Sequence, residues 1–148
     1  MHDDLELKGR LIIKINDEVV RDIKNLVVTA GKDWVASRMK DATSTVMTHM
    51  AIGTGTAAAV IGDTTLGAEI TRQAVNVSGG TVVGAVVTWV RTFAADDPNI
   101  TAPAVSAVTE AGLFNAASGG TMLARTVFAV VNKGEADSMT ISWSVTIS

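Results

Sequence analysis

The C-terminal segment constrains the fold most. In "SMTISWSVTIS", Met139, Ile141, Trp143, Val145 and Ile147 alternate without a break with Thr140, Ser142, Ser144, Thr146 and Ser148. A helix would scatter both sets around its circumference. A strand places every second side chain on one face, so this segment has an apolar face for a core and a face rich in hydroxyls. The same period of two runs through "LELKGRLIIKI", where Leu5, Leu7, Leu11, Ile13 and Ile15 alternate with Glu6, Lys8, Arg10, Ile12 and Lys14. Asn16-Asp17 supplies a tight turn and "EVVRDIKNLVV" a returning strand, which predicts a charged-faced N-terminal β-hairpin.

Further strands are expected at "EITRQAVNV", "TVVGAVVTWVRTF", "SAVTEAGLFNA" and "TMLARTVFAVV", separated by Ser-Gly-Gly turns at 78–80 and 118–120 and by a loop holding Pro98 and Pro103. One helix is expected in "TAGKDWVASRMKDA", near residues 31–41. Thr29 or Gly31 is its cap, Trp34, Val35 and Met39 share a face, and the helix packs as a lid on one edge of a sheet. Many β-branched strands with one short helix give a mainly β fold, an antiparallel β-sandwich or flattened barrel. The 148 residues suit a single such domain over 25–148, with the hairpin of residues 1–24 part of it or appended to it.

Composition removes several functions. With no cysteine, disulfides and thiolate metal sites are excluded. A net charge of −3, no tyrosine, and basic residues interleaved with acids give nucleic acid no basic groove or stacking platform. The N-terminus lacks the basic and apolar regions of a secretory signal, and the apolar run 81–90 is far shorter than the roughly 20 residues of a spanning helix, so no membrane partner is expected.

The glycine- and threonine-rich stretch "MAIGTGTAAAVIGDTTLGAE" (50–69) raises a nucleotide site and then argues against it. Phosphate loops need N–H groups converging at a helix N-terminus, within a βαβ frame or beside a Gly-Lys-Ser/Thr sequence, and this chain has neither. The stretch reads instead as an ordered loop turning at Gly53, Gly55, Gly62 and Gly67. No GxSxG elbow is present. The histidines, His2 and His49, stand apart and in poor context for a base or a zinc site. Asp63 and Asp96-Asp97 match no EF-hand spacing and read as turn formers. No catalytic residue, metal or cofactor is expected. Glu110 differs, because it interrupts the apolar "AVTEAGLF". A buried carboxylate needs a partner, and Arg72 and Arg125, each in an apolar strand, are the candidates for a structural ion pair.

The stretches "MAIGTGTAAAVIGDTTLGAEITRQ" and "VTEAGLFNAASGGTMLARTVFAVVNKGEADSMTISWSVTI", together with "AGKDWVASRM", resemble a group of tailed-bacteriophage virion proteins over residues 25–148. The resemblance implies a non-enzymatic structural component of the virion, assembled in the host bacterial cytoplasm. Its candidate placements are capsid decoration (cement) protein and tail, baseplate or fibre-attachment protein. Small size and the lack of a coiled coil or fibre repeat favour decoration. The implied partner is then the major capsid protein (tail or baseplate proteins in the alternative), with a homo-oligomer expected and a trimer favoured. Lys8, Arg10, Lys14, Arg21 and Lys24, beside Glu6, Asp17, Glu18 and Asp22, form either the shell-facing element or an ordinary solvated face. A glycan- or host-surface-binding β-sandwich is a further alternative, with Trp34 as its aromatic.

Overall fold

The computed structural model describes residues 4–41, 44–100 and 105–148, without the side chain of Val105. His2, Ala42 at the expected helix end and Pro103 in the expected loop lie outside the described residues. In chain order the elements are β1 (Leu7–Ile15), β2 (Glu18–Val27), α1 (Thr29–Lys40), β3 (His49–Gly53), β4 (Glu69–Ala74), β5 (Thr81–Val83), β6 (Val86–Phe93), β7 (Val105–Phe114), β8 (Met122–Gly134) and β9 (Met139–Ile147). The strands form one antiparallel sheet in the order β4-β3-β7-β8-β2-β1-β9-β6-β5, which curls into an open half-barrel. The N-terminal hairpin turns at Asn16 and Asp17, both at positive φ (48° and 69°), the backbone a two-residue hairpin turn demands. It is built into the sheet, since β1 pairs with β9 along its whole length, Leu7 to Ile147 through Ile15 to Met139.

The curl has two identifiable causes. β2 serves both halves of the sheet: residues 18–25 pair with β1, whereas Leu26 and Val27 pair with Arg125 and Ala124 of β8. Beyond that point Arg21 replaces the missing ladder, donating from Nε to Ala129 O (3.1 Å) and from Nη2 to Val130 O (2.8 Å). At the opposite margin β4 approaches β6. The Asn76 amide donates to Val90 O (2.8 Å), and Arg91 donates to Ala74 O (3.1 Å) and to the Gln73 side chain. The apolar faces of the two halves meet in a core of Leu11, Ile13, Met50, Ile52, Trp89, Phe93, Leu113, Ile141 and Trp143. Each fully buried large side chain contributes about 1.5–3 kcal/mol. Trp143 buries its ring completely and satisfies its indole N–H on Asn25 Oδ1 (3.0 Å).

Four details differ from the sequence expectation. Residues 49–53, read as loop, form β3, a buried strand between β4 and β7. Its five residues are too few to show a period beside the glycine and threonine that follow. The run 81–93 is two strands, because Gly84, at φ +57°, turns the chain between Val83 and Val86. The helix has Val28 as its N-cap residue, with no side-chain cap. Its Thr29 amide donates instead to Ile61 O (2.8 Å), and Met39 on the last turn points to solvent. Finally α1 lies against β8, inside the sheet order, and not on a sheet edge. Gly31 is what permits this approach, for a Cβ there would stand 2.1 Å from Leu123 O.

Candidate functional site

The second face of β4-β3-β7-β8, turned away from the core, carries the buried Glu110 and Arg125. Register places Ala51, Arg72, Gly112 and Arg125 in one row across the four strands, with Gly53, Glu69 and Glu110 in a neighbouring row. Ala51, Gly53 and Gly112 have almost no side chains, so the middle of this face is a shallow floor. The segment 54–68 lies on it. Leu66 packs among Ala51, Phe114, Met122 and Val28 in a second apolar cluster, and a Cβ on Gly112 would meet Leu66 Cδ2 at 2.8 Å.

Glu110 is fully buried beneath this segment. Its Oε1 accepts from the amides of Gly55 (2.9 Å) and Ala68 (2.7 Å). Its Oε2 accepts from the Gly67 amide (2.9 Å) and from Nε and Nη2 of Arg125 (3.1 and 2.8 Å). Burial pushes the carboxyl pKa up. The three amides and the Arg125 guanidinium outweigh it and hold the group below its ordinary value, so it is ionised at neutral pH. The glycines are there because the carboxylate is. A Cβ on Gly53 or on Gly55 would stand 2.5 Å from Glu110 Oε1. The glycine-rich stretch is thus an anion cradle, and the anion it holds is the chain's own glutamate.

Arg125 extends the cluster to the rest of the segment. Its Nη1 donates to Asp63 Oδ2 (2.8 Å) and its Nη2 to Ala57 O (3.0 Å), while Asp63 Oδ2 accepts the Val60 amide (2.9 Å). Burial lowers the Arg125 pKa, and the hydrogen bonds and charges of Glu110 and Asp63 raise it further than burial lowers it. Thr109 Oγ1 donates to Gly55 O (2.8 Å) from the neighbouring strand position. Five donors thus surround the four lone-pair sites of one carboxylate, leaving no acceptor free for a substrate.

Of the two arginines expected to partner Glu110, Arg125 reaches it and Arg72 does not. Arg72 stands on β4, with β3 between it and β7, and Glu69 three residues away on its own strand captures it (2.8 and 3.2 Å). Its guanidinium lies 3.6 Å from the centre of the Phe114 ring and donates to Ala116 O and Gly119 O, tying the 115–121 turn to β4. His49, in register with Phe114, shares a 2.8 Å hydrogen bond with Thr48 Oγ1. Burial, and then the Arg72 charge, push its pKa down, so it is neutral at pH 7. Asp97 accepts from Asn99 and Gln73 in the loop before β7, the geometry of a turn former.

The five basic residues of the hairpin divide by function. Lys8, Arg10, Lys14 and Lys24 lie on the face away from the core, and Arg10 pairs with Asp22 through two bonds (2.8 and 2.6 Å) and Lys8 with Glu6 (3.4 Å). These exposed pairs contribute little stability. Lys14 and Lys24 have no ion pair among the described residues. Arg21 stands opposite Ile13, on the core side, and is committed to the β8 carbonyls, so it does not join an outward basic face. The members of the cradle that sequence reasoning missed are Gly55, Asp63, Gly67 and Ala68. Their signal was present as a glycine cluster, but not the fact that the bound anion comes from 42 to 55 residues downstream.

Among the described residues no group of three or more His, Asp or Glu side chains is placed to hold a metal ion, and no helix is long and apolar enough to cross a membrane. Comparison with protein-family models, with curated proteins and with solved structures finds no match to this chain.

Proposed function

We propose that this chain is a non-enzymatic structural protein of a tailed-bacteriophage virion and, within that class, a capsid decoration (cement) protein bound to the major capsid protein. The observation that carries the reading is a convergence. Gly55, Asp63, Gly67 and Ala68 of "AIGTGT…GDTTLGAE", Glu110 of "TEAG" and Arg125 of "ARTVF" belong to the segments that resemble the virion group, and these six meet in the one cradle. A buried carboxylate and arginine that bind the chain's own backbone and side chains support a scaffold role for this cradle. The half-barrel then serves to present surfaces. The outward cations of the hairpin, Lys14 and Lys24 foremost, are the groups that meet an acidic shell surface, and assembly takes place in the cytoplasm of the host bacterium.

The test is an add-back experiment with particles lacking the chain. Purified protein added to such heads should co-sediment with them to saturation, and Lys14→Glu/Lys24→Glu should weaken binding while leaving the thermal melt unchanged. Co-sedimentation with isolated tails and not with heads would overturn the placement.

A further inference from the structure

The helix α1 lines a cleft that is separate from the cradle. It is pinned to β8 by the Val28 amide, which donates to Leu123 O (3.2 Å), and by the close approach at Gly31. Ala30, Asp33, Trp34 and Ser37, spaced i, i+3, i+4 and i+7, are the helical stripe that lines the cleft. Asn115 and Thr121 line it from the turn between β7 and β8, and Ser44 and Thr45 complete it. The turn is held by the Asn115 amide on Thr121 O (3.1 Å) and the Thr121 amide on Asn115 Oδ1 (2.7 Å). Ser44 is held by the Ser37 hydroxyl and by Arg38 Nη1 at its carbonyl (2.8 Å). The cleft measures about 520 Å³, inside the range of about 300–1,000 Å³ usual for small-molecule sites.

We propose that this cleft binds a neutral saccharide, one or two pyranose rings, through Trp34, Asp33 and Asn115. The lining selects this chemistry. No lysine or arginine lines the cleft and Asp33 adds a negative charge, which disfavours phosphates and other anions. Hydroxyls and a carboxamide make up most of the rest, a lining too polar for an apolar anchor. A pyranose has an apolar face of C–H groups and a rim of hydroxyls that both donate and accept. Trp34 offers the matching surface: its indole N–H is committed to Thr45 O (2.7 Å) and part of its ring packs on the core, so the ring is already oriented. The exposed Asp33 carboxylate has no hydrogen bond or ion pair among the described residues, and its two oxygens suit two vicinal hydroxyls. Asn115 spends its Oδ1 on Thr121, which leaves Nδ2 to donate to a hydroxyl oxygen. An ammonium group could use Asp33 and the indole, but it has no acceptor for the Asn115 donor. Because these groups are positioned by the chain's own bonds, binding orders little.

The site does not rest on the virion placement, and titration of the purified full chain tests it. The probes are glucose, galactose, mannose, rhamnose, N-acetylglucosamine, maltose, cellobiose and lactose, followed by saturation-transfer NMR and tryptophan emission. Trp89 and Trp143 are buried and Trp34 is partly exposed, so an emission change reports on the cleft. At least one sugar should saturate, with a dissociation constant on the order of millimolar or tighter. Asp33→Ala should weaken it roughly tenfold or more with an unchanged thermal melt, the worth of a hydrogen bond to a charged group. Trp34→Phe should abolish the emission change, and Lys24→Ala should bind as wild type. Saturation by none of these sugars, binding indifferent to Asp33→Ala, or an emission change that survives Trp34→Phe would overturn the proposal. Tighter binding of Nα-acetyl-lysine amide than of any sugar would overturn it too, and assign the cleft to a cationic side chain.

Discussion

Replacing Glu110 by glutamine changes one oxygen to an NH2 group and leaves the volume alone, so the consequence can be worked out bond by bond. If the amide oxygen stays with Gly55 and Ala68, its NH2 faces three donors, the Gly67 amide and two N–H groups of Arg125. If it flips, the NH2 faces Gly55 and Ala68. The better orientation still loses two hydrogen bonds to a charged acceptor, at about 1.5–3 kcal/mol each, and leaves the buried Arg125 with Asp63 as its only carboxylate. Breaking a buried pair from one side costs about 3–5 kcal/mol, so both routes give about 4 kcal/mol. For a chain of this length that lowers the melting temperature by roughly 8–16 °C. Calorimetry and urea unfolding of wild type, Glu110→Gln, Arg125→Met and the double variant measure it. The double variant should be less destabilised than the sum of the single ones by about 1–3 kcal/mol. A melting temperature within about 2 °C of wild type for Glu110→Gln, or strictly additive costs, would refute the account of the cradle.

Gly55→Ala places a methyl group 2.5 Å from Glu110 Oε1 and should destabilise by about 2–3 kcal/mol, while the same change at Gly62, where a Cβ meets nothing within 4 Å, should be near neutral; urea midpoints compare them. In acid, the unfolded chain protonates Glu110 near 4.5 while the folded chain keeps it ionised to lower pH. Stability from the cradle is therefore complete above that value and is lost as pH falls through the folded pKa. Asp97 adds to the same slope, because hydrogen bonds from Gln73 and Asn99 and the Arg91 charge outweigh its burial and hold its carboxyl low. Urea unfolding from pH 7 to 2 should show this acid limb, and Glu110→Gln should flatten it. Arg21→Ala removes two side-chain bonds from β2 to β8, leaving the Leu26–Val27 ladder, and should cost about 2 kcal/mol, whereas Lys24→Ala, exposed on the outer face, should stay within about 0.5 kcal/mol in the same assay.

How far the residues alone reveal this molecule depends on the length over which a pattern persists. The alternation in 139–145 and in 7–15 survives, with inward Leu11, Ile13, Ile141 and Trp143 in the core, because a half-buried strand must repeat every two residues, whereas Leu5 lies before β1 and is exposed. β3 was hidden because a strand buried on both faces has no alternation to show, and its five residues run straight into Gly53 and Gly55. The hairpin turn at Gly84 was hidden among valines with the same β propensity on either side. At the site, the isolated acid in "AVTEAGLF" pointed to Glu110 and to an arginine partner. Which arginine it was depended on register: Arg125 is on the strand next to β7, whereas Arg72 is two strands away with Glu69 beside it. The glycines read as turns of an ordered loop, and only the folded chain brings its own carboxylate to them.

The copy number of this chain per virion tests the proposed placement most directly, by quantitative mass spectrometry of purified particles against the major capsid protein. A decoration protein requires copies on the order of hundreds, in simple ratio to the shell subunit, as repeated sites on a symmetric shell dictate. About a dozen copies or fewer would contradict it and assign the chain to the tail or its vertex.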